Sequence, residues 1–165
     1  MGQMNGKWSA GLLPATNPAG ISTEQGKRRY ILFDDATAEK IRISFIAPDT
    51  WGSLLVLVLY FAVKNTQTGD KDVGFTVRLD ARTPDSDAID LETDDYDADN
   101  DFVHDLATAQ AAGLLRKVEA SLSNVDSMAA GDLVTLELER DVAVANNASG
   151  DVEVLEDFTL KWTDA

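Results

Sequence analysis

Leu54-Leu55-Val56-Leu57-Val58-Leu59-Tyr60-Phe61-Ala62-Val63 is the stretch on which the fold turns. It holds no charge, no glycine and no proline. A membrane-spanning helix needs about twenty apolar residues, so a run of ten is too short to cross a bilayer. Its β-branched and aromatic content suits a strand buried on both faces. Working outward, the segments on either side alternate. Ile41, Ile43 and Phe45 share one phase, with Arg42 and Ser44 in the other. Phe75, Val77 and Leu79 alternate with Thr76, Arg78 and Asp80. Period two marks half-buried strands. The polar loop 64–71 predicts a hairpin between the apolar run and the strand at 75–79.

The same pattern continues towards both ends. Residues 29–33 read as a short strand. Val118, Ala120 and Leu122 point inward, as do Val134, Leu136 and Leu138 after the turn Ala130-Gly131-Asp132. A last strand spans 152–162, with Phe158, Leu160 and Trp162 on its apolar face. Glu156 falls in that apolar phase, which predicts a bulge or phase flip. One short helix is expected over 104–112, Ala-rich and closed by Gly113. The sum is an all-β, single-domain, antiparallel jelly-roll-like sandwich of about eight strands. Residues 1–20 read as an extended arm that either lies over the parent core as an irregular edge strand or docks on a neighbouring subunit. They carry four of the eleven glycines, two of the four prolines, and the apolar groups Trp8, Leu12 and Leu13. The sandwich domain then covers 21–165, with an acidic insertion at 83–113.

Charge and chemistry narrow the function. Fourteen Lys and Arg face 29 Asp and Glu, a net charge of −15. Such a chain is repelled by phosphate backbones and anionic lipids, which argues against nucleic-acid and membrane partners. Residues 1–7 do not read as a secretory signal. The match to a glycosylation sequon at Asn147-Ala148-Ser149 reads as chance in a polar turn. With no cysteine and a single histidine, His104, thiolate and histidine-rich metal sites are out. The Gly-x-Ser-x-Gly elbow, the P-loop and Gly-x-Gly-x-x-Gly are all missing, so no catalytic or cofactor-binding residue is assigned and the chain does not read as an enzyme.

Residues 85–105 hold ten acidic groups and no Lys or Arg. Asp95-x-Asp97-x-Asp99 matches the first half of a calcium loop. Asn100 and Leu106 then stand where glycine and a bidentate glutamate belong. The segment reads as a solvated loop or partner surface, and no metal is assigned. The aromatic groups Trp8, Trp51 and Trp162 could form a sugar-stacking platform, though Trp162 fits the core and Trp51 fits a plug over its end.

Several short motifs occur in a set order. They are residues 8–16 (Trp-Ser-Ala-Gly-Leu-Leu-Pro-Ala-Thr), Tyr30-Ile31-Leu32-Phe33-Asp34, Pro48-Asp49-Thr50-Trp51-Gly52, Tyr60-Phe61, Ala130-Gly131-Asp132-Leu133-Val134 and Arg140-Asp141. In this order they resemble a group of small jelly-roll virion proteins of tailed bacteriophages, over residues 8–163. The acidic stretch at 85–105 departs from that group. The resemblance implies a capsid decoration or cement protein on the outer face of the head. It would bind the major capsid protein, as a homo-oligomer (dimer or trimer). The expected interface groups are Trp8, Leu12, Leu13, Pro14, Trp51 and Tyr96. The alternative is a carbohydrate-binding module of a tail fibre or spike, with Trp51 or Tyr96 stacking on glycans.

Overall fold

A computed structural model describes residues 1–8, 13–22, 29–86, 93, 95–106 and 110–165. It contains eleven strands: β1 (Gly2–Lys7), β2 (Gly20–Ser22), β3 (Tyr30–Phe33), β4 (Lys40–Ile46), β5 (Trp51–Val63), β6 (Asp72–Arg82), β7 (Asn100–Asp105), β8 (Arg116–Leu122), β9 (Leu133–Asp141), β10 (Val152–Leu155) and β11 (Asp157–Asp164). They form an antiparallel sandwich. One sheet is four-stranded, in the order β4-β9-β6-β7. The other is seven-stranded, in the order β1-β11-β5-β10-β3-β2, with β8 on the far side of β5. The all-β, jelly-roll-like expectation holds, with more strands than expected.

The apolar run is the centre of the large sheet. β5 pairs with β8 along one edge and with β10 and β11 along the other. Its inward residues Leu55, Leu57, Leu59, Phe61 and Val63 are buried between the sheets. Phe75 lies at the middle of the core, with ring centroids 6.3 Å from Phe33, 5.7 Å from Phe61 and 5.6 Å from Phe102. Where β5 begins, Leu54 takes a φ of +53°, and the pairing with β11 shifts register there. At Gly52 an added Cβ would lie 2.7 Å from the Ala165 nitrogen, so only glycine lets the C-terminal end pass so close.

Glu156 marks the expected irregularity. Val154 pairs with Phe61 and Thr159 with Val58, so five steps along β10 and β11 lie against three along β5. The two extra residues preserve the inward phase, which keeps Val152, Val154, Phe158, Leu160 and Trp162 buried. A single extra residue would have turned one half of the strand inside out.

Two expectations are corrected. The hairpin between the apolar run and the strand at 75–79 does not form: β5 belongs to the large sheet, and β6 pairs with β9 and β7 in the small one. Alternation sets which face is buried but not which strand is the neighbour. The helix expected from His104 does not start there, because Asn100–Asp105 is strand β7 on β6. Phe102 stacks on Phe75, and Asn100 is locked by bonds to Val77 O (3.2 Å) and Asn124 O (2.8 Å). Tertiary pairing outweighs the local alanine preference; residues 107–109 lie outside the described residues. Of the two placements open to the arm, its start takes the edge strand on the parent core. β1 extends the large sheet on β11, and Gly2 and Gly6 face Trp162 and Phe158 so closely that a Cβ would sit 2.2 Å from each ring. Those glycines serve a strand roofed by aromatics rather than a flexible tether.

Candidate functional site

Polar and aromatic groups collect at several places on the sandwich, and strand register sets the first of them. On the outer face of the small sheet, Arg42, Glu137 and Arg78 are aligned across β4, β9 and β6. Glu137 is 1% exposed and receives Arg42 Nε at 2.8 Å and Arg78 Nη1 at 3.0 Å, with Lys40 Nζ at 3.3 Å. Lys40 also meets Glu139 at 3.1 Å, and Arg78 meets Asp99 at 2.6 Å. Burial alone would push the Glu137 carboxyl up. The Arg42 hydrogen bond, the charges of Lys40 and Arg42, and the Arg78 bond outweigh it and hold the group below the usual glutamate range. Tyr96 lies over this ladder, with the Arg42 guanidinium carbon 5.3 Å from its ring centroid. Tyr96 is therefore half-buried and committed to a cation–π contact.

The other expected interface groups are dispersed. Trp8 is fully buried, its ring 4.4 Å from Phe158 and its backbone N–H donating to Glu156 O at 2.8 Å. It cannot serve as an anchor on a free arm, because its apolar surface is already spent in this chain's own core. Leu12 lies outside the described residues. Leu13 is 48% exposed, and the half-buried Pro14 borders a cleft of about 400 Å³ that reaches Lys40 and Arg42. Trp51 is 8% exposed, and its Nε1 donates to Met128 O at 2.7 Å. It plugs the end of the core and is corrected as a surface contact. Trp162 is likewise buried.

The aromatic that does face a cleft is Tyr60. With Leu55, Leu57 and Leu59 inward, Tyr60 shares the outward phase of β5 and lies opposite Lys117 of β8. A cleft of about 380 Å³ opens beside it, lined by Asn5, Tyr60, Leu115, Leu155, Asp157 and Thr159. Asn5 and Thr159 are register partners on β1 and β11, and Thr159 Oγ1 bonds Asn5 Oδ1 at 2.8 Å. Asp157 lies 3.3 Å from Lys7 Nζ. The site thus combines a half-buried phenol ring and two leucines with a carboxylate, an amide and a hydroxyl. An apolar floor with a few convergent polar groups is the ordinary design of a small-molecule site. Sequence reasoning passed over Tyr60 because it sits inside the most apolar run. The signal was its parity: it is out of phase with the inward leucines.

Asp34, Asp35 and Asp151 bring carboxylate oxygens within 4.8 Å of one another. Beside them lies Arg140, which is 0% exposed. Its Nη1 donates to Phe33 O (3.2 Å) and Gly150 O (3.1 Å), and its Nη2 to Asn147 Oδ1 (3.2 Å) and Ala148 O (3.0 Å). Burial pushes the Arg140 pKa down, and the charges of Asp35, Asp151, Asp34 and Glu39 oppose that fall. The cluster therefore already has its counter-charge, and it clamps the loop before β10 onto β3. Asn147, the first residue of the sequon, is held in this clamp and also donates to Asp35 O at 3.1 Å. His104 is half-buried in β7, edge-on to Phe61 at 5.2 Å, and not on the open surface at a helix start. Burial and the charge of Arg116 lower its pKa, with Asp105 opposing.

No family model matches the chain, and no curated protein matches it. Solved structures share its fold. The CBM36-1 domain of a multidomain xylanase from the hindgut metagenome of Trinervitermes trinervoides superposes with a TM-score of 0.50 at 10% identity, over 99% of this chain and 100% of that one. The exo-β-1,3-galactanase Pc1,3Gal43A from Phanerochaete chrysosporium gives 0.50 at 12% identity, over 98% of this chain. The GH26-CBM35 β-(1,4)-mannanase of Podospora anserina gives 0.50 at 15% identity, over 99% of this chain. The chain spans 30% and 28% of those two enzymes' lengths. Likeness at this identity establishes the jelly-roll-like sandwich. Among the described residues, no helix is long and apolar enough to cross a membrane.

Proposed function

We propose that this chain is a non-catalytic carbohydrate-binding module that holds a neutral glycan against Tyr60. The observation that carries this reading is the cleft on the large sheet, with Tyr60, Leu115 and Leu155 beside Asn5, Asp157 and Thr159. A sugar ring has an apolar C–H face and a hydroxyl rim. The C–H face stacks on an aromatic ring, and the rim exchanges hydrogen bonds with amide, carboxylate and hydroxyl groups. A net charge of −15 disfavours polyanionic glycans. The fold is that of domains found in a xylanase and a mannanase, which supports binding over catalysis and suggests plant-type β-linked polysaccharides as the class to screen. The capsid-decorating role implied by the phage resemblance drew its anchors from Trp8, Leu12, Leu13 and loop contacts; of these Trp8 is buried and lends it no support, and Leu13 is 48% exposed.

The test is native affinity electrophoresis in gels containing xylan, β-1,3-galactan or β-1,4-mannan. Tryptophan emission is a poor reporter, because Trp8, Trp51 and Trp162 are all buried. Wild-type protein should be retarded by at least one neutral polysaccharide. Tyr60→Ala should weaken that binding at least tenfold, or about 1.4 kcal/mol. Unchanged mobility in every gel, or equal retardation of Tyr60→Ala, would sink the reading.

A further inference from the structure

We infer that the glycan lies across the strands of the large sheet as a linear β-1,4-linked chain, with Tyr30 as a second stacking platform two strands from Tyr60. This rests on the glycan reading above and adds to it the linkage, the direction of the chain and a second contact residue. It follows from which residues share one transverse row. Tyr60 of β5 pairs with Lys117 of β8 on one side. On the other side, β10 pairs with β5 through Val154 and Phe61, and the next step of that register sets Leu155 beside Tyr60. Both line the cleft. Leu155 in turn pairs with Tyr30 of β3. The row Tyr60, Leu155, Tyr30 therefore crosses three neighbouring strands.

All three residues belong to the outer face. Leu59 and Phe61 flank Tyr60 in sequence, Val154 precedes Leu155, and Ile31 follows Tyr30; each of these neighbours is fully buried between the sheets. Side chains alternate along a strand, so the row takes the opposite, outward phase. Tyr60, Leu155 and Tyr30 are each half-buried, as residues on the outer face of a sheet are.

The spacing selects the linkage. Neighbouring strands are about 4.8 Å apart, so the two tyrosines leave the sheet about 10 Å apart with an apolar side chain midway. A pyranose in an extended β-1,4-linked chain advances that chain by close to one strand spacing. Successive rings of the flat ribbon turn over, so rings two apart present the same face. The row then seats one ring on Tyr60, the next over Leu155 and a third on Tyr30. A β-1,3-linked chain curves and keeps neither this step nor this face. The flanks suit the two edges of a ribbon. Two residues along from the row, Val58 is aligned with Thr159 and Asn5 on one side, and Ala62 with Glu153 and Leu32 on the other. Hydroxyls on one edge meet the Thr159–Asn5 pair, and those on the other meet the half-buried Glu153 carboxylate as an acceptor.

The experiment is calorimetric titration of the full chain with cello-, xylo- and manno-oligosaccharides from disaccharide to hexasaccharide, with β-1,3-linked galacto-oligosaccharides beside them. At least one β-1,4-linked series should bind, and its affinity should rise about fivefold to tenfold from disaccharide to trisaccharide, as the third ring reaches Tyr30. The β-1,3-linked series should show no such step. Tyr30→Ala should remove the step and leave disaccharide binding as in wild type, whereas Tyr60→Ala should weaken every length. Should Tyr30→Ala fail to fold, Tyr30→Leu keeps the apolar burial, removes the ring and carries the same expectation. If the Tyr30 variants bind the trisaccharide as wild type does while Tyr60→Ala does not, the row is wrong and the glycan reading stands. Tighter binding of the β-1,3-linked series overturns the linkage and leaves the Tyr60 cleft in place. No binding by any series, or binding that Tyr60→Ala leaves intact, overturns both.

Discussion

The two outer faces of this sandwich are built by the same rule and come to opposite ends. On the small sheet, charged residues at the middle of the outward faces of β4, β9 and β6 meet in register, cation against carboxylate: Arg42, Glu137, Arg78. The groups satisfy one another, and Tyr96 lies over Arg42. On the large sheet, the outward residues of β5 are Val56, Val58, Tyr60 and Ala62. Their neighbours leave a cleft with an aromatic ring and a few polar atoms. A face whose polar groups are mutually paired contributes stability and specificity of fold. A face with a recess and a ring beside it has interactions left for a ligand.

The largest expected effect breaks the closed face. Glu137→Ala leaves Lys40, Arg42 and Arg78 crowded without their shared carboxylate. Urea denaturation should show a loss of about 3 kcal/mol, the usual cost of removing one partner from a buried ion network. Tyr60→Ala on the open face should cost less than about 1 kcal/mol of stability while abolishing glycan retardation. Equal destabilisation by both would erase the distinction between the faces.

Acid sharpens the contrast next. The Glu137 carboxyl is held below its ordinary value of 4.5, so the unfolded chain binds its proton first as pH falls. The stabilisation is complete above about 4.5 and is lost as pH drops through the lower folded value. Urea midpoints between pH 6 and 3 should fall more for wild type than for Glu137→Gln, whose neutral side chain has no proton to gain. Parallel curves would mean that the ladder is not the acid-sensitive element.

The smallest effect lies between the faces, at His104. Its folded pKa is below the ordinary 6.5, so protonation favours the unfolded chain. Stability should be full above pH 6.5 and decline as pH falls from there towards the folded value. His104→Gln should flatten the Tm profile between pH 7.5 and 5.5. A profile unchanged by the substitution would show that β7 holds the ring without discriminating its charge.

Much of this was legible before any coordinates. The run at 54–63 read as a central strand because nothing polar interrupts it, and β5 is that strand. Alternation at 41–45, 75–79 and 134–138 gave the inward faces of β4, β6 and β9 correctly. Glu156 in an apolar phase announced the two-residue insertion between β10 and β11. The site was not legible, because the conspicuous features of the sequence are its tryptophans and its acidic stretch. All three tryptophans are buried, and Tyr60 was hidden by its apolar neighbours.

The sequence by itself determined an all-β sandwich, the inward phase of its main strands and the acidic balance. These depend on local periodicity and composition. Only the tertiary structure decided that β5 and β6 part to different sheets, that Asn100–Asp105 is a strand, and that Trp8 belongs to the core. It also decided that Asn5, Tyr60 and Thr159, far apart along the chain, share one cleft. The physical reason is that strand pairing is made by backbone hydrogen bonds common to every residue, so side-chain pattern sets the face and leaves the partner to the packing of the whole.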